Sequence, residues 1–277
     1  MIRRLILAVL AAGFVPGIAQ ATPPDTFGFG SRSTALGGAV AASVEDVSAT
    51  YYNPAGLARS GNLRITAGYL TLNPELAING DRSDVERHGA MTFGMVLPAT
   101  FGDFRLALGL GFQLPDQRVA RTRSAIVDRP RWELYDTRSH RLHLAVHLAI
   151  RPVPWLTLGA GLAFQSQSTL TLDIRGDLPI VNAELNARLE HQFRGELESI
   201  RYPTIGMQIR ATDRLDIGLV YRGEVELSNT IIAIANADVT GTTLDFDLIS
   251  TSTSLFAPQQ VSLALQYAIL ENLSVAF

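Results

Sequence analysis

From Leu63 onward the chain alternates between large apolar and small or polar residues with a period of two. In Phe104–Leu114, Phe104, Leu106, Leu108, Leu110, Phe112 and Leu114 fall on one face. Arg105, Ala107, Gly109, Gly111 and Gln113 fall on the other. A helix would scatter both sets around its axis, whereas a strand separates them. The same split recurs in His140–Arg151, Trp155–Gln167, Arg214–Leu227 and Gln260–Ile269, and more weakly in Leu63–Leu72, His88–Leu97 and Ser199–Thr212. These are eight expected strands, and Leu273–Phe277 begins a ninth.

Short turns are expected at Pro98–Asp103, Pro152–Pro154, Thr212–Asp213 and Leu270–Asn272. Long polar segments are expected at Pro115–Thr137, Asp173–Glu198 and Ser228–Pro258. Short turns at one end and long loops at the other are the pattern of outer-membrane barrels. A soluble β-sandwich also alternates, with its apolar face turned inward. Two features favour the membrane. The second face mixes Arg, His, Glu and Gln with many Gly and Ala, which suits a wet or ligand-lined lumen. The strands also approach the roughly 9–11 residues that cross a bilayer. Trp155, Tyr202, Tyr221 and Tyr267 are candidates for interfacial aromatic girdles. The expected fold class is therefore all-β, a transmembrane antiparallel β-barrel.

Phe27–Ala58 does not alternate. It is crowded with Gly, Ala and Ser, and is read as a plug inside what the strands enclose. A segment inside a barrel must satisfy its backbone polar groups against nearby walls, and small residues permit that approach. Ser43-x-x-Asp46 is expected to open a short helix through Val47–Thr50 as a variant capping box. Asn53-Pro54 reads as a turn, since Asn bonds locally to backbone and Pro fixes φ.

Composition adds boundaries. The chain has 277 residues, a formal charge of −3 and 18% charged residues. Its mean hydropathy is +0.17. Nothing in this charge balance points to nucleic acid. After the N-terminus no apolar run reaches the roughly 18 residues of a spanning helix. There are no cysteines, which removes disulfides and thiol chemistry. All 23 basic residues are Arg. Residues 1–21 read as a cleaved secretory signal, with Arg3 and Arg4, an apolar Leu5–Val15, and Ala19-Gln20-Ala21 before Thr22. Export of such a chain points to a Gram-negative outer membrane. The expected organisation is signal peptide 1–21, hatch 22–61 and barrel 62–277.

With plug and barrel argued from the residues, a resemblance follows. Gly28-Phe29-Gly30-Ser31-Arg32, Ala35-Leu36-Gly37-Gly38-Ala39, Glu45-Asp46-Val47-Ser48-Ala49 and Tyr51-Tyr52-Asn53-Pro54-Ala55-Gly56-Leu57 resemble the N-terminal region of the FadL/TodX family of outer-membrane transporters. Pro152–Leu162 and Pro258–Val261 are similar to strand starts of that family. The resemblance implies a barrel of about 14 strands blocked by an N-terminal hatch. It implies passive uptake of long-chain fatty acids or aromatic hydrocarbons through a groove, a deeper pocket and a lateral gap. This sequence departs in length, supplying about nine of those strands, so the barrel is expected to be incomplete.

The candidate substrate-binding residues are Phe27, Phe29, Arg105, Arg141 and Arg222. The two phenylalanines either meet ligand or pack the plug against the wall. The arginines, with Arg210, offer a planar two-pronged donor to a carboxylate head group, or pair internally with Asp216, Glu224 and Glu226. The candidate gate is Asn53, Pro54, Ala55 and Gly56. Arg118, Arg121, Arg123, Arg129 and Arg131 either meet lipopolysaccharide phosphates or are solvated. His143 and His147 are about 13 Å apart on a strand, too far for one metal ion. They are read as lumen-lining. No hydrolase, Walker or zinc-protease motif is present, and no enzyme activity or cofactor is expected. The expected partners are a hydrophobic small molecule, outer-membrane lipid and lipopolysaccharide, with the chain a monomer. The alternative function is a plugged barrel serving as a scaffold for surface or secretion partners.

Overall fold

The computed structural model describes residues 28–73, 75, 77–82, 87–117, 142–177, 188–239 and 242–277. The signal segment, Phe27, Arg141 and most of the Pro115–Thr137 loop with its five arginines lie outside them. The plug comes first, as α1 (Ser31–Ala35), α2 (Ala49–Tyr52) and a 3-10 helix over Pro54–Arg59. The strands are β1 (Arg64–Leu72), β2 (Ala77–Ile78), β3 (Asp81–Arg82), β4 (His88–Phe101), β5 (Phe104–Pro115), β6 (His143–Val153) and β7 (Leu156–Asp177). They continue as β8 (Arg188–Thr212), β9 (Leu215–Arg222), β10 (Val225–Val239), β11 (Thr242–Ala257), β12 (Gln260–Leu270) and β13 (Leu273–Ala276).

The wall is an antiparallel sheet in the order β1-β4-β5-β6-β7-β8-β9-β12-β13. It is a partial barrel: among the described residues it does not close, and β1 and β13 are its edges. The hairpin β10–β11 projects between β9 and β12, and β10 touches β7 in parallel at Asn236 and Asp177. β2 and β3 form a separate two-residue ladder.

Side-chain parity fixes which way the sheet faces. Outward residues such as Ile65, Leu148, Ile205, Val261 and Leu263 are all more than half exposed. Inward residues such as Ala107, Ala145, His147, Thr204 and Gln208 are buried. An apolar outside around a small and polar inside reverses the arrangement of a soluble sandwich and suits a wall set in lipid.

The register lines up the inward residues in ladders across the strands. Gly109, His147, Gly161, Thr204 and Arg222 stand side by side on β5 to β9. Ala107, Ala149, Gly159, Gly206 and Val220 form the next ladder. The second is small throughout because the plug lies on it. A Cβ at Gly159 or Gly206 would overlap the backbone of Pro54 or the side chain of Asn53. Phe29, Val40, Val44, Val47, Tyr51 and Leu57 of the plug form one buried cluster with wall residues Val96, Ala107 and Ala149.

Several expected boundaries move, each for a local reason. β4 runs through Pro98 to Phe101, and only Gly102–Asp103 turns, with Gly102 at φ 62. Pro98 is tolerated because β1 starts opposite Val96, so its missing N–H faces no neighbouring strand. The expected strand Arg214–Leu227 breaks at Gly223-Glu224. There the Gly223 N–H bonds the Pro203 carbonyl at 2.8 Å, and Pro203 has no N–H to return. Parity resets across the break: Val225 is buried, while Glu224 and Glu226 are exposed. Tyr202 points inward, 4% exposed, against Ala145, Ala163, Val225 and Ala257, and so leaves the expected girdle. Its parity is that of Thr204 and Gly206 on the same strand. Asp173–Glu198 and Ser228–Pro258 are largely extended strand pairs and not loops.

Candidate functional site: the hatch and its two contact zones

Two glycines with positive φ, Gly37 and Gly38, turn the chain out of α1. α2 begins at Ala49, two residues later than expected. Asp46 and not Ser43 organises its entry, since Asp46 Oδ1 accepts the Ser48 N–H at 2.8 Å. Asn53 then takes an extended conformation and caps the 3-10 helix, its Oδ1 accepting the Ala55 N–H at 3.1 Å. Pro54 occupies the first helical position, where a missing N–H removes no bond.

Asn53 is fully buried and ties three parts of the molecule together. Its Nδ2 donates to the Ala41 carbonyl at 2.7 Å and to the Met207 carbonyl of β8 at 3.1 Å. Gln208 repeats the motif from the wall, with Nε2 donating to Ala41 at 3.0 Å and Val44 at 3.2 Å. Gly56 packs where a Cβ would overlap the Val44 carbonyl oxygen. Asn53, Pro54, Ala55 and Gly56 thus form the segment pressed against β7 and β8.

The first contact zone is aromatic. Phe29 is fully buried and stacks on Tyr51, with ring centroids 6.0 Å apart. His143 of β6 meets Phe29 and Tyr51 edge-on at 5.9 and 5.7 Å. Arg222 of β9 lies 4.5 Å from the Tyr51 ring centre and donates to the Tyr51 carbonyl at 3.0 Å. An enclosed cation over a ring contributes about 1–2 kcal/mol. Phe29 and Arg222 are therefore brought together, and Tyr51 is the residue between them. Tyr51 was missed; its signal was its place beside Tyr52 in an otherwise small-residue segment.

The second zone lies at the short-turn end and is ionic. Arg59 of the plug donates to both Asp216 oxygens, at 3.1 and 3.2 Å, and to the Ala42 carbonyl at 3.1 Å. Arg210 Nε stands 3.7 Å from Asp216. Arg64 pairs with Glu45 at 2.9 Å. Arg105 belongs to this zone, opposite Arg151 in the β5–β6 register. It sits six residues from Gly111, the β5 position that touches Phe29, or about 20 Å along a strand. Arg105 and Phe29 accordingly do not share a site. Arg210 realises the expected pairing with Asp216. Arg59 and Arg151 were overlooked, although Arg151 has the inward parity of His143 and His147. Among the described residues no group of three or more metal-ligating side chains stands together.

No family model matches the sequence, and no curated protein matches it. Among solved structures, the TodX monoaromatic hydrocarbon channel in its deltaS2 mutant form is similar, with 15% identity, a TM-score of 0.39, and 83% of this chain and 63% of that chain covered. Its deltaS2S3 mutant gives 14% identity and a TM-score of 0.40 over the same shares. The Pseudomonas putida toluene transporter TodX gives 13% identity and a TM-score of 0.35, with 82% and 63% covered. This chain therefore spans 63% of the length of those solved chains.

Proposed function

We propose that this chain forms the hatch and a large part of the wall of an outer-membrane channel that admits hydrophobic compounds passively. The observation that carries the reading is the plug: a buried, hydrogen-bonded segment filling the concave face of a sheet whose outer face is apolar. A wall that faces lipid outside and a hatch inside has the form of a gated passage. The substrate class in this reading is uncharged aromatic hydrocarbon or long-chain fatty acid. Phe29 and Tyr51 are buried, so a solute meets the aromatic zone of Phe29, Tyr51 and Arg222 only once the hatch shifts from the wall. Phe27, two residues before Phe29 in the sequence and outside the described residues, is kept as a proposed ligand contact. Arg141, also outside the described residues, is kept as a proposed partner of a carboxylate head group.

The test is uptake by liposomes carrying the complete gene product, with labelled toluene and labelled oleate. Saturable entry of either, above empty liposomes, is expected. A folded protein that admits neither removes the channel reading. It would leave the scaffold reading, in which the filled lumen is permanent and surface partners are the function.

A further inference from the structure

The short-turn end of the lumen holds more positive charge than it can neutralise. Four arginines meet there, Arg59, Arg105, Arg151 and Arg210, and Arg64 joins them through Glu45. Glu45 and Asp216 are the carboxylates paired with them, and both are already engaged, Glu45 by Arg64 and Asp216 by Arg59 and Arg210. Arg105 and Arg151 have no carboxylate partner among the described residues. The hydrogen bond described for Arg151 goes to the Pro154 carbonyl, at 3.0 Å. The charges of Arg105, Arg210 and Arg59 all bear on Arg151. Like charges this close repel one another, and an anion among them relieves that repulsion.

There is a place for one. A small cleft of about 70 Å³ opens here, lined by Arg59, Arg151 and Arg210 with Trp155, Thr157 and Gln208, and by Glu45, whose charge is paired with Arg64. A cleft holds one water for roughly each 10–15 Å³ of such space, so this one has room for a group of a few non-hydrogen atoms such as a single carboxylate or phosphate. Guanidinium groups present paired N–H donors matched to the two or three oxygens of an oxyanion. Gln208 Nε2 already donates to the Ala41 and Val44 carbonyls and Thr157 Oγ1 to the Gln208 carbonyl, so the donors left for an oxyanion are the guanidinium groups.

We propose that this cleft is an oxyanion-binding site, holding a carboxylate or phosphate group between Arg151 and Arg210 with Arg105 adding charge behind them. Arg59 couples it to the hatch, because the same guanidinium holds the plug to Asp216. The proposal stands on the charges and shape of the cleft and does not depend on which compounds cross the wall.

Trp155 lines the cleft and reports its occupancy. The chain has two tryptophans, so Trp132→Phe leaves Trp155 as the sole indole emitter. The full chain bearing that change, in non-ionic detergent, is titrated with inorganic phosphate and separately with octanoate. Octanol controls for tail binding and chloride for ionic strength. A saturable change in Trp155 emission is expected with phosphate, octanoate or both. Saturation by phosphate alone identifies a free or headgroup phosphate, and by octanoate alone a carboxylate amphiphile. The Arg105→Gln/Arg151→Gln pair should weaken binding at least tenfold, and Arg210→Gln alone should weaken it several-fold. Arg32→Gln, on the exposed side of the plug, should leave it unchanged. The proposal is overturned if neither anion saturates at millimolar concentration, if octanol matches octanoate, or if folded Arg210→Gln binds as tightly as its parent.

Discussion

At the scale of single residues, the plug is held by polar groups that have no substitute nearby. Asn53 serves Ala41, Met207 and Ala55 at once, from inside a fully buried position. Asn53→Ala leaves the Ala55 N–H without its acceptor and takes a donor from the Met207 carbonyl, while the Ala41 carbonyl keeps its bond from Gln208, at about 1–3 kcal/mol for each group left without a partner. The expected result is a loss of at least ~2 kcal/mol in reversible unfolding by denaturant. Asn53→Asp should cost more than Ala, because it points a carboxylate at two carbonyl oxygens. An Asp variant as stable as the parent would refute the donor role of Nδ2. Gly56 and Gly61 form a second paired test. A Cβ at Gly56 meets a backbone oxygen that cannot swing away, whereas at Gly61 the nearest atom is the end of the Arg105 side chain, 3.6 Å off. Gly56→Ala should destabilise by about 1–3 kcal/mol. Gly61→Ala should stay within roughly 0.5 kcal/mol, measured in the same unfolding series.

At the scale of elements, inward and outward parity was legible wherever a strand ran uninterrupted. β5 and β6 place every residue on the face that alternation assigns, because one apolar and one small or polar side admit no other register. Legibility failed where a strand lost its neighbour. Pro98 reads as the start of a turn and Pro203 falls within the expected strand Ser199–Thr212, and both sit inside strands, at points where a flanking strand ends. Nothing in a local window reveals where the neighbour stops. Gly223 was harder still, since its need for a missing side chain comes from a proline twenty residues away. The aromatic zone was half legible: Phe29 and Arg222 stood out by type, but their common partner Tyr51 depends on how the plug folds back. The outward face of β6 gives the element its own prediction. Leu148 is 62% exposed at mid-strand, while Leu270 lies beside the Glu271–Asn272 turn. In lipid vesicles Leu148→Arg should reduce folding stability by about 2–4 kcal/mol, and Leu270→Arg by about 0–1 kcal/mol. Equal costs at the two positions would mean that β6 does not cross the apolar part of a bilayer.

At the scale of the whole molecule, the question is whether the plug is a moving hatch or a fixed filling. The packing poses it sharply. Phe29, Leu57 and Asn53 are completely enclosed, and the ladder of small wall residues fits the plug backbone closely. A passage through the lumen needs at least part of that contact to open. A passage through the side of the wall does not. Since the chain has no cysteine of its own, one engineered disulfide separates these cases. Thr50 of α2 faces Gly111 of β5, and a Cβ built at Gly111 lies 3.1 Å from the Thr50 Cβ. Disulfides span Cβ separations of about 3.5–4.5 Å, so a shift of a few tenths of an ångström brings the pair into range. In Thr50→Cys/Gly111→Cys the oxidised protein keeps the hatch fastened to the wall, and the reduced protein frees it. If solute passes the hatch, the oxidised form should take up labelled toluene at a small fraction of the reduced rate, with reductant restoring it. Each single-cysteine variant should ignore the redox state. Equal uptake by oxidised and reduced protein would place the path outside the hatch contact, leaving the Arg59–Asp216 tie as a structural clamp and the wall itself as the gate.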